Sequence, residues 1–238
     1  MTSINLGEVL GNREQILLLD KIPPHPPGAG EVLVVGGDLQ VYERVSLSGE
    51  EEMRAEAMLS ESARKCFVAG RRLLRGILSG WMGRDTSIVP IEVTSTGKPV
   101  LRGGEMLRFS ISHSRDRVIA AFSASDVGID LEWERPVDAH ALATRYFSPE
   151  EAALFEIPEN YGRFFRLWTC REAAVKADGR GLGALLGTTH VKSLVDGTMQ
   201  VEIDGISWTS IPIQVGRDCH LALAFRGPRR LISWCDLV

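Results

Sequence analysis

Three carboxylates and one lysine have the spacing of a site that binds a cation and an anion together. Asp130 and Glu132 alternate on a predicted strand, so their side chains project from the same face. Glu172 and Lys176 lie one turn apart on a predicted helix and also share a face. A third carboxylate beside the strand pair would complete the oxygen ligand set that magnesium prefers and leave room for phosphate oxygens. Each pair alone is typical of a solvated surface, so the surrounding motifs decide the interpretation.

A second set of polar residues lies at the end of a predicted strand, in the segment FSISHS (109–114). Small hydroxyl residues and a histidine are suited to binding phosphate oxygens. Ser112 and His113 are adjacent and face opposite sides of a strand, so they do not form the nucleophile and base of a hydrolase. The turn GKP adds the positive charge of Lys98. The glycine-rich run 179–183 follows a helix instead of joining a strand to one, which argues against a dinucleotide fold.

Length and composition restrict the class of protein. The 238 residues are enough for one large domain or two lobes with separate cores. A net charge of −4 without a long basic run excludes a general nucleic-acid binder. No apolar stretch of about 18 residues and no signal segment appear, so we expect a cytoplasmic protein that does not interact with a membrane. The four scattered cysteines have no metal or disulfide spacing and are expected to be reduced.

The elements that position these residues follow a repeated order. Residues 1–30 appear irregular, and the valine-rich segment 31–45 predicts one or two short strands broken at Gly36-Gly37. Residues 48–82 predict one long helix. Four short strands are then expected at 91–94, 107–112, 118–123 and 128–132.

The second half begins with a predicted helix that Ser148 caps. The next predicted helix covers residues 162–177, and antiparallel strands are expected from residue 189 to the end. Helix followed by strands thus occurs twice. This order predicts an N-terminal lobe at residues 1–125 and a C-terminal lobe at residues 126–238.

Five motifs occur in a characteristic order, and they are TSTGKPVL (94–101), FSISHS (109–114), VGIDLEWERP (127–136), FSPEE (147–151) and LWTCREAAVKADGRGLG (167–183). The set closely resembles the larger, pseudo-dimeric 4′-phosphopantetheinyl transferases, a group that includes activators of nonribosomal peptide and polyketide synthases. The resemblance implies an α+β fold of two α/β lobes, each with a long helix packed on an antiparallel sheet, and an active site in the cleft between them. It also implies a monomer that uses magnesium to transfer the 4′-phosphopantetheine arm of coenzyme A to a serine of an apo acyl or peptidyl carrier protein, releasing 3′,5′-ADP.

The resemblance assigns roles by position. It implies that Asp130, Glu132 and Glu172 bind magnesium, and that Glu172 also acts as the base, directly or through a water. Lys176 and His113 would neutralise phosphate oxygens, and Ser112 and Lys98 would lie near the nucleotide.

Two residues depart from the family pattern. Cys66 replaces an arginine that often meets the 3′-phosphate, so Arg64, Lys65 or Arg71 would have to provide that charge. Arg171 stands where lysine is common, which keeps the charge and changes its geometry.

Two other functions use the same residues. One is a coenzyme A-binding protein that has lost transfer, although the presence of Asp130, Glu132, Glu172 and Lys176 argues against it. The other is a magnesium-dependent hydrolase of nucleotides that contain a pyrophosphate, which would need these charges and no carrier protein.

Overall fold

The computed structural model describes residues 9–10, 16–103, 106–155, 161–181, 189–195, 197–227 and 230–237. The chain divides into two compact units. Unit 1 contains Met1–Gln15, Thr94–Lys98 and Asp126–Arg229, and unit 2 contains Ile16–Val93, Pro99–Ser125 and Arg230–Val238. Helices packed on largely antiparallel sheets confirm the α+β class. Among the described residues, no helix is both long and apolar enough to span a lipid bilayer.

The helices are α1 (Gly49–Glu56), α2 (Glu61–Met82), α3 (Ala139–Tyr146), α4 (Pro149–Ala152) and α5 (Tyr161–Asp178), with short 3-10 helices at Thr86–Ile88 and Ala153–Phe155. The strands are β1 (Val9–Leu10), β2 (Ile16–Leu19), β3 (Glu31–Asp38), β4 (Ile91–Val93), β5 (Pro99–Leu101), β6 (Arg108–Ser114), β7 (Arg117–Ser123), β8 (Val127–Trp133), β9 (Thr189–Val195), β10 (Thr198–Ile203), β11 (Ile206–Val215), β12 (Cys219–Phe225) and β13 (Leu231–Leu237).

Unit 2 is built on a five-stranded sheet in the order β2-β13-β3-β7-β6, with a separate β4-β5 hairpin. Helix α2 packs on one face of this sheet, where its apolar side chains bury Leu33, Val35 and Phe122. β13 runs parallel to both β2 and β3. The expectation of a wholly antiparallel sheet is therefore wrong for these two pairings, because β13, from the far end of the chain, lies between β2 and β3 and runs in the same direction as both.

The predicted single helix over residues 48–82 is two helices. Ser48 caps α1 through a capping box with Glu51. Ser60 then takes an extended conformation and accepts a hydrogen bond from the Ala63 amide at the start of α2. A second serine cap within an apolar helical pattern begins a new helix, which periodicity alone does not reveal.

Two further expectations are wrong in the first 45 residues. β2 lies within the segment expected to be irregular. β3 continues through Gly36 and Gly37 without a break. A side chain at Gly36 would come within 2.9 Å of an Asp236 oxygen, and one at Gly37 would meet Val41 at the same distance. These glycines allow neighbours to approach the strand closely, and they do not interrupt it.

Unit 1 contains the sheet β8-β12-β11-β10-β9, with β1 paired to β11, and every pairing in it is antiparallel as predicted. Helix α5 packs on this sheet and extends one residue beyond the predicted helix at each end. Its core includes Phe164, Ala173 and Ala177 against Val201 and Ala222. The four cysteines are free and buried.

Candidate active site

A glycine sets the distance between α5 and β8. Gly128, Asp130 and Glu132 alternate along β8 and therefore share one face. A side chain at Gly128 would come within 1.9 Å of the Ala173 carbonyl oxygen and 2.5 Å of the Ala177 amide nitrogen. The helix backbone thus lies directly on the strand at this point. The same close packing brings Glu172 and Lys176 of α5 near Asp130.

The first result of this packing is a partly buried ion pair. The Lys176 ammonium donates to Asp130 Oδ1 at 2.6 Å. Asp130 is only 3% exposed. Burial lowers the pKa of Lys176, but the carboxylates of Asp130, Glu172 and Glu132 outweigh it, so the net pKa is raised and the ammonium stays charged. The site therefore holds a fixed positive charge among its carboxylates.

Glu172 lies in the same group and carries the most altered acidity. Burial and, after it, the negative charge of Asp130 raise its pKa to about 8, while Lys176 acts in the opposite direction. The Trp168 side chain, one turn earlier on α5, acts to lower this pKa. A buried carboxylate with crowded negative neighbours gains most when a cation binds beside it.

Glu132 forms an ion pair with Arg135, which follows the end of β8. Arg135 Nη1 donates to Glu132 Oε2 at 2.6 Å. The Arg135 guanidinium also lies 5.2 Å from the centre of the Phe165 ring, close enough for a cation–π contact. Glu132 is thus oriented by a cation that is half exposed, with 52% of its side chain in solvent.

These residues fit a magnesium ion by their chemistry. Asp130, Glu132 and Glu172 supply only carboxylate oxygens, the donor type that magnesium prefers. Their negative charges act on one another, since Asp130 and Glu132 both raise the pKa of Glu172. Among the described residues, no three His, Cys, Asp or Glu side chains already lie together as a complete metal site. The magnesium site therefore stays a prediction.

Ser112 and His113 belong to unit 2 and lie on β6. Ser112 is buried and His113 is exposed, on opposite faces of the strand as predicted. His113 shares its face with Phe109 and Ile111, which pack in the core under α2. The predicted contacts of both residues with phosphate remain predictions.

The basic residues of α2 have different surroundings. Arg64 is exposed in the first turn of α2, whereas Arg71 is 6% exposed. Arg71 Nε lies 3.6 Å from Glu51 Oε1, and its guanidinium lies 5.3 Å from the centre of the Phe67 ring. Burial lowers the pKa of Arg71, and Glu51 opposes this change. Burial also raises the pKa of the Cys66 thiol.

Arg71 lines a cavity of about 370 Å³ within unit 2, together with Arg54, Phe67 and Arg102. Arg71 Nη1 has no hydrogen-bond partner in the part of the chain that the structure describes. Glu51 also lines the cavity, and its other oxygen, Oε2, accepts a hydrogen bond from Arg75 Nε. A buried guanidinium with an unused donor at the wall of a cavity is suited to an anionic ligand.

Lys98 belongs to unit 1 and contacts α5. Its ammonium donates to the Lys176 carbonyl at 2.6 Å and to the Ala177 carbonyl at 3.3 Å. The structure therefore brings Lys98 to the helix that carries Glu172 and Lys176.

Arg171 has a structural environment. Its Nη1 donates to both Glu151 oxygens at 2.9 and 3.1 Å, and its Nη2 donates to the Tyr146 carbonyl at 2.7 Å. Glu151 also accepts hydrogen bonds from the backbone amides of Ser148 and Val191. The FSPEE motif and the arginine of α5 thus form one buried network. Residues 182 and 183 of the last motif lie outside the described residues.

Sequence reasoning missed two residues near the carboxylates of unit 1 and one residue of the cavity in unit 2. Gly128 carried a visible signal, because an isolated glycine inside a strand indicates close approach by another backbone. Trp168 also carried a signal, since it lies four residues before Glu172 on the same helical face. Arg54 carried none, because its place in the cavity depends on the packing of α1 against α2.

The sequence matches one family model and several known proteins. Residues 126–226 match the model of the 4′-phosphopantetheinyl transferase superfamily. The chain is 40% identical over 191 residues to the 4′-phosphopantetheinyl transferase HetI of Nostoc sp., a match that covers 76% of this chain and 79% of that protein. It is 29% identical over 178 residues to the 4′-phosphopantetheinyl transferase Sfp of Bacillus subtilis, covering 68% of this chain and 79% of that protein.

A third relative, the 4′-phosphopantetheinyl transferase psf-1 of Bacillus pumilus, is 34% identical over 133 residues, which is 54% of this chain and 56% of that protein. The chain therefore belongs to the 4′-phosphopantetheinyl transferase superfamily. The class of enzyme predicted from the five motifs is confirmed.

Proposed function

We propose that this protein transfers the 4′-phosphopantetheine arm of coenzyme A to a serine of an apo carrier protein. The observation that carries the proposal is the group of Asp130, Glu172 and Lys176, which lies where α5 packs on β8 in a chain of this superfamily. The serine oxygen would attack the β-phosphorus of coenzyme A, the bond from that phosphorus to the bridging oxygen would break, and 3′,5′-ADP would leave. Positioning and charge stabilisation supply most of the catalysis in such reactions.

Asp130, Glu132 and Glu172 would hold magnesium, which, when bound, would neutralise charge on the pyrophosphate. Lys176 would stay charged and stabilise phosphate oxygens, since its pKa is raised. Glu172 would also accept the serine proton, directly or through a water, once a cation beside it favours its ionised form. His113 and Ser112 complete the set of residues that would contact coenzyme A.

The 3′-phosphate of coenzyme A would enter the cavity lined by Arg54 and Arg71. Arg71 presents an unused donor there, whereas Arg64 is not among the residues that line the cavity. This assignment selects Arg71 from the residues that the replacement by Cys66 left open. Under this proposal, the protein acts as a monomer in the cytoplasm.

Mass spectrometry of an apo carrier protein, incubated with coenzyme A and magnesium, tests the proposal. Transfer adds one phosphopantetheine to the carrier serine, and chelator abolishes the gain. Release of 3′,5′-ADP without carrier modification would indicate the hydrolase, and binding of coenzyme A without either product would indicate the binding protein. Either result contradicts the proposed transfer.

A second experiment tests the cavity. Arg54→Ala should weaken binding of coenzyme A about ten-fold, because one charge-assisted contact with phosphate is lost, and should leave dephospho-coenzyme A unchanged. Arg64→Ala is the matched control, since Arg64 is an exposed arginine that does not line the cavity. Calorimetric titration of both variants with both ligands measures the difference. Equal losses for the two ligands would place the 3′-phosphate elsewhere.

A further inference from the structure

The turn at residues 94–98 holds Lys98 in a fixed direction. The Gly97 amide donates to the Thr94 carbonyl at 2.9 Å, and the Thr94 amide donates to the Lys98 carbonyl at 2.9 Å. The Lys98 amide also donates to the Thr94 hydroxyl at 3.1 Å. Gly97 has a φ of 88°, a left-handed conformation that glycine adopts without strain. The backbone around Lys98 is therefore tightly closed.

The side chains of this turn bind the C-terminal end of α5. The Lys98 ammonium donates to the Lys176 and Ala177 carbonyls, which are among the last carbonyls of the helix and lack partners within it. The Thr96 hydroxyl donates to the Gly179 carbonyl at 2.8 Å. A positive charge at a helix C-terminus also interacts favourably with the helix dipole. Two side chains from one turn thus hold the end of α5.

Lys98 acts on more than the helix end. Its main acceptor is the carbonyl of Lys176, the residue whose ammonium binds Asp130 at 2.6 Å. Glu172 lies one turn earlier on the same helix. The helix already ends without Lys98, because the Gly179 amide donates to the Val175 carbonyl at 3.0 Å and Gly179 has a φ of 82°. The lysine therefore adds a constraint on the turn that carries Lys176.

We propose that Lys98 is a positioning residue, which fixes Lys176 relative to Asp130 through the C-terminal carbonyls of α5. This inference rests on the proposed transfer reaction, and it differs from the predicted role of Lys98 as a direct ligand of the nucleotide. The two roles affect different kinetic parameters. A positioning residue changes turnover, whereas a ligand of the nucleotide changes the affinity for coenzyme A.

The test compares Lys98→Met with Lys98→Arg. Lys98→Met should lower kcat about ten-fold, the size expected for loss of one charge-assisted hydrogen bond, and change the KM for coenzyme A less than about two-fold. Lys98→Arg keeps a charged donor and should recover most of kcat. Lys192→Met is the control, because Lys192 is an exposed lysine whose ion pair with Glu202 lies on the surface. A ten-fold rise in KM with unchanged kcat would overturn the proposal.

Hydrogen exchange supplies a measurement that does not depend on activity. In Lys98→Met, the amides of residues 176–179 should exchange faster, while those of residues 164–170 keep their wild-type rates. If Lys98→Met folds poorly, Thr96→Val replaces it in this measurement. Thr96→Val removes the hydrogen bond to the Gly179 carbonyl without removing a charge, and it should speed exchange of the same amides by a smaller factor. Unchanged exchange at 176–179 would also overturn the proposal. If the wild-type protein transfers nothing, the proposed function fails, and faster exchange with unchanged calorimetric affinity for coenzyme A still supports the positioning role.

Discussion

Arg171 and Glu172 are neighbours on α5 with opposite electrostatic surroundings. Arg171 meets a carboxylate, Glu151, that also accepts two backbone hydrogen bonds. Glu172 meets two carboxylates, and burial and Asp130 raise its pKa to about 8. The opposite charges around Arg171 stabilise the fold, whereas the like charges around Glu172 favour binding of a cation or a proton. One helix thus carries a structural charge, Arg171, beside Glu172, the carboxylate that is proposed to act in catalysis.

The comparison predicts its largest effect at the structural charge. Arg171→Met should lower the free energy of unfolding by about 3–5 kcal/mol, because Glu151 would remain buried without its cation. Urea denaturation measures this loss. Arg166→Met, an exposed arginine on the same helix, should change stability by about 0.5 kcal/mol or less. A loss below about 1 kcal/mol for Arg171→Met would show that the network is not stabilising.

Substitution of Glu172 should have the opposite effect to that of Arg171 and reduce activity without reducing stability. Glu172→Gln should slow transfer about 100-fold or more, which corresponds to roughly 2.7 kcal/mol of transition-state stabilisation. The variant should unfold at the same temperature as the wild type or higher, since it removes a carboxyl group whose ionisation is opposed by its negatively charged neighbours. Carrier modification and thermal unfolding measure the two effects. Glu202→Gln serves as the control, and wild-type activity of Glu172→Gln would remove Glu172 from the site.

Some of this contrast was accessible from the sequence. The spacing of Asp130 and Glu132 predicted a shared strand face, and the helix over residues 162–177 is confirmed as α5 to within one residue at each end. Local periodicity determines both features, so a single sequence contains them.

Other features depend on contacts that are distant in the chain. The pairing of β13 with β3 joins the last strand to one of the first, and no local pattern encodes it. The sharing of Glu151 between Arg171 and the Val191 amide likewise depends on tertiary packing. Gly36 appeared to break a strand because its local conformational freedom is visible, whereas the neighbouring Asp236 that requires a glycine there is not.

The pH dependence of stability should further distinguish the surroundings of Glu172 from those of Arg171. The unfolded Glu172 ionises near its usual pKa of 4.5, whereas the folded group keeps its proton until about pH 8. The unfolded state therefore binds fewer protons in this window, and Glu172 should lower the stability of the metal-free protein as pH rises from about 5 to 8. We expect a loss on the order of 1–3 kcal/mol.

Thermal unfolding in chelator at pH 5.5 and 8 measures this loss, and the difference between wild type and Glu172→Gln isolates the contribution of Glu172. Magnesium should restore stability at pH 8 in the wild type only. Identical pH profiles for the two proteins would show that Glu172 is not crowded by negative charge in solution.

The smallest expected effect concerns the cation beside Glu132. Arg135→Met removes a half-exposed guanidinium from a carboxylate that is proposed to bind magnesium. The free energy of unfolding should fall by less than about 1 kcal/mol, because exposed ion pairs contribute little. Magnesium should half-saturate transfer at about two- to five-fold lower concentration, since the ion no longer competes with a fixed positive charge for Glu132. This gain should shrink at high salt, which screens an exposed charge such as that of Arg135. Arg145→Met is the control, because Arg145 lies in the last turn of α3 over the Tyr146 ring. A higher magnesium requirement in Arg135→Met would instead mean that the arginine holds Glu132 in its binding orientation, and that this second charge is structural in the same sense as Arg171.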